Sequence, residues 1–227
     1  MASKFHLSYD PELDEAFASF PPSHLTKESL MEVRNQLEPL YTAEKVITDP
    51  EISHKDITIP GPNGDVILAV LKWKKSKGGP RPAIYYMHGG GMITGNRFTI
   101  GGGIEWIKEL DAVLKWVSEH ASKVEVNPDR ILITGSSGGG NVCAGLALLA
   151  RDKGGPKIRA QCLCYPMIDD RMETTSVKHF YDQGTWKGQI NEQAWDYLLD
   201  GKRGAEDIDV GQADMFRDEN VAYAMKL

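Results

Sequence analysis

The residues most capable of chemistry form a short run of serines and glycines, GSSGG, at positions 135–139. The run fits the pattern G-x-S-x-G with Ser137 as its central serine, and it stands between a strand-like segment and an apolar, helix-like segment. A sharp strand-to-helix bend of this kind exposes a serine hydroxyl and needs small neighbours, here Gly135 and Gly139. Free N–H groups at the start of the helix stabilise a developing negative charge. The run therefore predicts a nucleophilic serine.

The same glycines suggest two other kinds of site, and their spacing argues against both. A phosphate-binding P-loop requires Lys and then Ser or Thr after its second glycine, but Asn141 and Val142 stand there. A dinucleotide-binding G-x-G-x-x-G that starts at Gly138 requires a glycine at position 143, which is a cysteine. A tight structural turn without catalytic purpose is the remaining alternative.

A second glycine run, HGGG at positions 88–91, follows another short apolar segment. Three glycines at the end of a buried strand have no side chains to pack, but they let backbone N–H groups approach a ligand oxygen closely. The plainer interpretation is a core histidine, His88, followed by a flexible loop. The two runs together indicate a serine nucleophile with a loop that binds an oxyanion.

Alternating strand and helix patterns surround the two runs. Short apolar segments predict a buried strand at PAIYYMH and further strands at 130–135 and at IRAQCLCYP. The apolar stretch 142–150 predicts a helix packed against the middle of a sheet. An amphipathic helix is predicted over 103–122, where apolar residues stand at 104, 107, 110, 114, 117 and 121. This order is typical of an α/β fold with a mainly parallel sheet.

The flanking segments predict a cap, a hairpin and a lid. Residues 1–50 have helical, amphipathic patterns and predict an N-terminal cap, which leaves 51–227 as the main domain. DITIP and DVILAVLKW, joined by GPNG, predict an antiparallel strand pair. The aromatic-rich stretch at about 169–204 predicts a helical, lid-like insertion. A short strand, DIDVG, and a last helix from about position 217 complete the pattern.

Size and charge exclude several classes of protein. The chain has 227 residues, enough for one domain or for one domain with a small cap. Its 26 Lys and Arg against 32 Asp and Glu give a net charge of −6, so we expect no nucleic-acid partner and no anionic-membrane surface. The sequence has no signal-like segment and no stretch of about 18 apolar residues. We therefore expect a cytoplasmic protein without a membrane span.

The chain has three cysteines, and none of them has the spacing of a metal-ligand set. Cys162 and Cys164 stand two apart in a strand-like segment, so their side chains are expected to share one face as small hydrophobes. An odd number of cysteines fits a reducing compartment. The sequence predicts no metal and no cofactor.

These segments together resemble the hormone-sensitive-lipase-like esterases of the α/β-hydrolase fold. The matching stretches occur in the family's order and, with the N-terminal helices, cover most of the chain: HGGGM, GSSGGGN, ARDKGGPKIRAQCLCYPMIDDR and DMFRDENVAYAMKL. The resemblance implies a mainly parallel sheet flanked by helices, with a helical cap. It also implies a carboxylic ester hydrolase that acts on small or medium acyl esters and needs no cofactor.

The resemblance implies a role for each residue of the site. Ser137 matches the nucleophile, and Asp214 matches the acid that orients a catalytic histidine. The backbone N–H groups of the oxyanion hole match Gly90, Gly91 and Gly138. The other positions of the two runs support this geometry: His88, Gly89, Gly135 and Gly139.

The chain departs from the family's catalytic pattern at the histidine. The triad of this fold runs in the order serine, acid, histidine. None of the histidines follows Asp214; they stand at positions 6, 24, 54, 88, 120 and 179. A serine hydroxyl is a poor nucleophile at its own pKa, so Ser137 lacks its general base. His179, in the lid-like stretch, is the one alternative base to consider.

A second departure lies near positions 110–113, where the helix after the oxyanion loop runs directly into the helix before the next strand. The family has a further strand between these two helices. The C-terminal strand and histidine region also have no counterpart. Because whole elements are absent, the pattern suggests a skipped exon or an incomplete gene model.

Two functions from different classes follow. The first is a carboxylic ester hydrolase whose activity is weak or lost because its histidine is missing. The alternative is a non-catalytic small-molecule binder of the same fold; plant gibberellin receptors resemble this family and lack the histidine. The resemblance implies a small-molecule ester as the partner and leaves the oligomeric state open.

Overall fold

The computed structural model describes residues 25–26, 28–75, 79–98, 114–201 and 203. The chain divides into two units, Met31–Met167 and the combination of Met1–Leu30 with Ile168–Leu227. No helix within the described ranges is long and apolar enough to cross a bilayer. Several predicted features lie outside these ranges: residues 1–24, most of the helix at 103–122, the strand DIDVG, Asp214 and the last helix.

Short helices follow the start of the described chain. Helix α1 spans Leu30–Leu37, a 3-10 helix spans Glu38–Leu40 and helix α2 spans Ala43–Val46. Before α1, the Ser29 N–H donates to Thr26 Oγ1 at 3.1 Å and the Thr26 N–H donates to Ser29 Oγ at 2.9 Å, which is the reciprocal pattern of a capping box. The helical pattern predicted for the N-terminal segment is confirmed over residues 30–46.

The predicted strand pair is confirmed as an antiparallel hairpin. Strand β1 spans Ile52–Gly61 and strand β2 spans Gly64–Trp73, with Gly61 opposite Gly64 across a two-residue turn. Gly64 has a φ of 136°, which a residue with a side chain rarely adopts, so the glycine is needed at the turn. Within the described ranges the hairpin is a sheet of its own.

Three parallel strands form the second sheet. Strand β3 spans Arg81–Met87, β4 spans Val126–Ser136 and β5 spans Ile158–Cys164, and they lie side by side in the order β3–β4–β5. Each strand contains one of the three apolar runs of the sequence. The mainly parallel sheet predicted from these runs is confirmed.

Strand β4 begins earlier than position 130, where the sequence predicted its start. Val126 pairs with Arg81, and the next pair along β3 is Ala83 with Ile131. The four residues 127–130 therefore bulge out of the ladder, which accommodates Pro128 without a lost central hydrogen bond. Local sequence predicted a turn here because the pairing of Val126 depends on a residue 45 positions away.

Helices connect these strands and cover one face of the sheet. Residues 114–119 and α3, Ala121–Val124, precede β4, with a break at His120 that the continuous helix prediction missed. Helix α4 spans Gly138–Asp152 and links β4 to β5; it starts four residues before the predicted apolar stretch. Four fully buried side chains form the core between α4 and β4: Ile131, Ile133, Val142 and Leu146.

The stretch from 168 onward belongs to the other unit, and its described part contains helices α5 at Thr175–His179 and α6 at Gly188–Leu199. Trp195 is fully buried, and the Trp186 Nε1–H donates to the buried Asn191 Oδ1 at 3.0 Å. Arg203 pairs with Glu192 and Asp196 on α6. The helical, aromatic character predicted for this stretch is confirmed, and its function as a lid stays a prediction.

Candidate active site

Ser137 occupies the bend between β4 and α4. Its φ of 54° and ψ of −123° are unusual for a residue with a side chain and store strain at the bend. Its N–H donates to the Cys164 carbonyl at 2.9 Å, and its carbonyl accepts from the Met167 N–H at 3.0 Å. The end of β5 and the chain just after it therefore hold the serine in this conformation.

The glycines on either side of Ser137 leave room for the end of β3. A Cβ at Gly139 would overlap the Met87 carbonyl oxygen and lie 2.5 Å from that of His88. A Cβ at Gly135 would lie 2.8 Å from the same Met87 oxygen. The small neighbours that the G-x-S-x-G pattern predicted are needed because backbone from another strand fills the space of a side chain.

The second glycine run turns back toward the bend. Gly90, Gly91 and Met92 have φ values of 106°, 62° and 61°, and the Gly90 carbonyl accepts from the N–H groups of Ile93 and Thr94 at 3.2 and 3.1 Å. A Cβ at Gly138 would lie 2.7 Å from the Met92 nitrogen and 3.2 Å from the Gly91 carbonyl carbon. The loop backbone is thus in direct contact with the first residue of α4.

The Ser137 side chain is half-buried, and its hydroxyl has no hydrogen-bonding partner within the described part of the chain. His88 is the first residue of the second glycine run; it directly follows β3 and is half-buried. Burial lowers the pKa of His88 to about 4, so its ring is neutral at pH 7. The Ser137 hydroxyl is therefore open to an incoming group and is not activated by a neighbour that the structure describes.

The other described histidines have partners of their own. His54 Nε2 lies 2.9 Å from Asp56 Oδ1 on β1, and His120 Nδ1 lies 3.0 Å from the Trp116 carbonyl within its own helix. His179 is in α5 of the other unit. The predicted acid, Asp214, lies outside the described residues, as do the histidines at positions 6 and 24.

Several residues of the site had no signal in the sequence. Met92 adopts a positive φ without being a glycine, and nothing in its type predicts that. Pro166 lies against Gly140, where a Cβ would be 2.5 Å from the proline Cβ. Asn141 is buried and its Nδ2 donates to the Met167 carbonyl at 2.9 Å. These residues position the bend through contacts between distant parts of the sequence.

The described residues also show what kind of ligand the site suits. They contain no group of three or more His, Cys, Asp or Glu side chains that would hold a metal ion. The start of α4 lies at the bend, next to the loop at Gly91, and the first N–H groups of a helix have no acceptor within the helix itself. Such an arrangement suits a small anionic or developing-anion group near Ser137.

Comparison with known proteins agrees with this geometry. A family model described as alpha/beta hydrolase fold matches residues 105–209. The solved structure of a bacterial heroin esterase superposes with a TM-score of 0.80 at 26% identity, covering 96% of this chain and 84% of that one. The chain therefore has the α/β-hydrolase fold.

Curated relatives of this α/β-hydrolase chain are esterases. It is 28% identical over 182 residues to the carboxylesterase NlhH of Mycobacterium tuberculosis. This match covers 69% of this chain and 56% of that protein. It is 30% identical over 144 residues to the esterase LipI of the same organism, 52% of this chain and 45% of that protein. The chain thus spans about half the length of the curated relatives it matches.

Proposed function

We propose that this chain is a carboxylic ester hydrolase by descent, with Ser137 as its nucleophile and a small-molecule ester as its substrate. The observation that carries the proposal is the contact of the Gly91–Met92 backbone with Gly138, beside a serine held at a strained bend. The backbone of the second glycine run is in direct contact with the first residue of α4 there. The esterase names of the curated relatives support the same reaction class.

The reaction proceeds by acyl transfer. Ser137 Oγ attacks the ester carbonyl, and the N–H groups of Gly90, Gly91 and Gly138 stabilise the oxyanion of the tetrahedral intermediate. One such donor typically contributes about 2.7–4 kcal/mol. The alcohol leaves, and water then releases the acyl group from Ser137. Asp214 is the acid that would orient a base, in line with the family's order of residues.

Turnover by this polypeptide is proposed to be slow. Within the described ranges no side chain hydrogen-bonds the Ser137 hydroxyl, and His88 is neutral and half-buried directly after β3. An oxyanion hole and substrate binding alone leave roughly a 10³–10⁴-fold acceleration over water. We expect Ser137 to react with a strong electrophile faster than it turns over an ester, because a good leaving group departs without the general acid that the alkoxide of an ester requires.

A fluorophosphonate probe tests the nucleophile. We expect labelling of the wild-type chain at Ser137, none of Ser137→Ala, and unchanged labelling of Ser136→Ala, the matched neighbour whose hydroxyl bonds Tyr86. Hydrolysis of a p-nitrophenyl ester is expected to be slow and dependent on Ser137. Labelling that survives in Ser137→Ala would overturn the assignment. Rapid turnover would show that another base serves the serine.

A non-catalytic small-molecule binder is the second candidate. It is favoured by the Ser137 hydroxyl, which lacks a partner in the ranges that the structure covers. Reversible ester binding by calorimetry, without probe labelling, would support this function over hydrolysis.

We propose the cytoplasm as the cellular location of the protein, because the unpaired cysteines suit a reducing compartment.

A further inference from the structure

Strand β5 carries two cysteines on the face that α4 does not cover. The strand alternates, so Cys162 and Cys164 share one face, in register with Thr134 and Ser136 of β4. Both thiols are exposed. The predicted shared face is confirmed, and it is open because helix α4 packs on the opposite face of the sheet.

Hydrogen bonds fix the backbone at both cysteines. The Thr134 hydroxyl donates to the Cys162 carbonyl at 2.8 Å, and the Ser137 N–H donates to the Cys164 carbonyl at 2.9 Å. Both residues also pair with β4 in the parallel ladder. The two thiols therefore project from a rigid, extended strand and not from a mobile loop.

This geometry disfavours a disulfide. Alternate residues of an extended strand have Cα atoms about 6.6 Å apart, and their parallel Cβ atoms are separated by a similar distance. A disulfide needs Cβ atoms roughly 3.5–4.5 Å apart, so it would require the strand to buckle. A single ion with metal–sulfur bonds of about 2.3 Å holds two sulfurs roughly 4.6 Å apart. Rotation about the Cα–Cβ bonds of the two cysteines brings their sulfurs to that separation.

We propose that Cys162 and Cys164 form a two-thiolate site for a soft cation of the Cu(I) class. Thiolate sulfur is the ligand that selects such ions, and two ligands in line satisfy them. Binding converts two thiols and one Cu⁺ into a bis-thiolate complex of net charge −1 and releases two protons, with no change of oxidation state. The site departs from the expectation of no metal because it needs only two ligands.

Proton competition adds a testable property. The ion must displace both protons, and its apparent affinity therefore rises with pH.

The experiment is an anaerobic Cu(I) titration of the full chain against a chromogenic Cu(I) chelator, with absorbance and proton release as readouts. We expect one ion per chain, about two protons released per ion, and at least about a tenfold loss of affinity in Cys162→Ser and in Cys164→Ser. Both positions are exposed, so these variants are expected to fold. Cys143→Ala is the matched control: Cys143 lies within α4 and its thiol is buried, so the affinity of this variant for the ion should be unchanged.

Three results would overturn the proposal. The first is a wild-type chain that does not compete with the chelator. The second is wild-type affinity in Cys162→Ser or in Cys164→Ser, because that result would mean that the ion binds nonspecifically. The third is a mass loss of two units between residues 162 and 164 on exposure to oxidised glutathione, with the ion-binding capacity lost. That result would mean that the strand accommodates a disulfide.

Discussion

The bend at Ser137 and the β1–β2 hairpin differ in the physical reason that restricts which residues each region tolerates. At the bend, backbone atoms from other elements occupy the space where side chains would stand, as Met87 and His88 do beside Gly139. In the hairpin, nothing lies within 4 Å of a Cβ added to Gly64, and β2 leaves Leu71 and Trp73 more than half exposed.

The difference separates two reasons for a glycine. Gly139 is required for space, whereas Gly64 is required for its φ of 136°. A change in the first region forces neighbouring strands apart, and a change in the second strains only its own turn. Four experiments test this contrast.

The largest expected effect comes from Gly139→Ala. Its Cβ meets backbone oxygens that no side-chain rotation can move, so we expect a loss of at least about 3 kcal/mol in the free energy of unfolding. Gly64→Ala is the control, with about 1–2 kcal/mol of backbone strain and no collision. Urea denaturation midpoints measure both. Equal losses in the two variants would contradict the distinction.

The next effect depends on pH through His88. Burial lowers its pKa from 6.5 to about 4 in the folded state, so between these values the unfolded chain binds the extra proton. The folded state is therefore expected to lose up to about 3 kcal/mol from this residue as the pH falls from 6.5 to 4.

The measurement compares unfolding free energies of wild type and His88→Asn across that pH range. The variant removes the titrating group, so the wild-type curve should fall below it progressively toward pH 4. Parallel curves would mean that His88 titrates normally and that the strand end is more open to water than its packing indicates.

A smaller effect comes from the conformation of Ser137 itself. Glycine tolerates a φ of 54° with a ψ of −123°, while alanine does not, so Ser137→Gly is expected to be about 1–2 kcal/mol more stable than Ser137→Ala. Thermal or urea unfolding measures the difference. Identical stabilities would show that the bend stores no strain.

The smallest effect belongs to the hairpin's exposed ion pair. Arg97 contacts Asp56 on β1 with nitrogen–oxygen distances of 2.6 and 3.1 Å, and it holds the pKa of that carboxyl below its ordinary value. Because both side chains are about one-third exposed, Asp56→Asn is expected to cost less than about 1 kcal/mol. A larger loss would mean that the hairpin depends on this pair as strongly as the bend depends on its glycines.

Sequence patterns were sufficient where a local cause decides the structure. The apolar runs predicted β3, β4 and β5, and GPNG predicted the hairpin turn, because strand formation and turn type follow from neighbouring residues. The two glycine runs predicted a bend and a loop, and the structure brings Gly91 and Gly138 into contact.

Sequence patterns failed where distant residues decide. The early start of β4 depends on pairing with Arg81, and the exposure of Cys162 depends on which face α4 covers. The positive φ of Met92 depends on how its loop packs against α4. None of these causes is visible within a short window of the sequence.

The hydrogen bonds of Ser137 have a consequence for the order of assembly during synthesis. Strands β3 and β4 can associate once residue 136 has left the ribosome, but the Ser137 N–H finds its partner only at Cys164, and the Ser137 carbonyl gains the Met167 N–H only after that. The backbone of Ser137 is therefore fixed about thirty residues after it is made, when β5 docks. A nascent chain that ends before Cys164 can pair β3 with β4, but the backbone of Ser137 is not yet held in its final conformation.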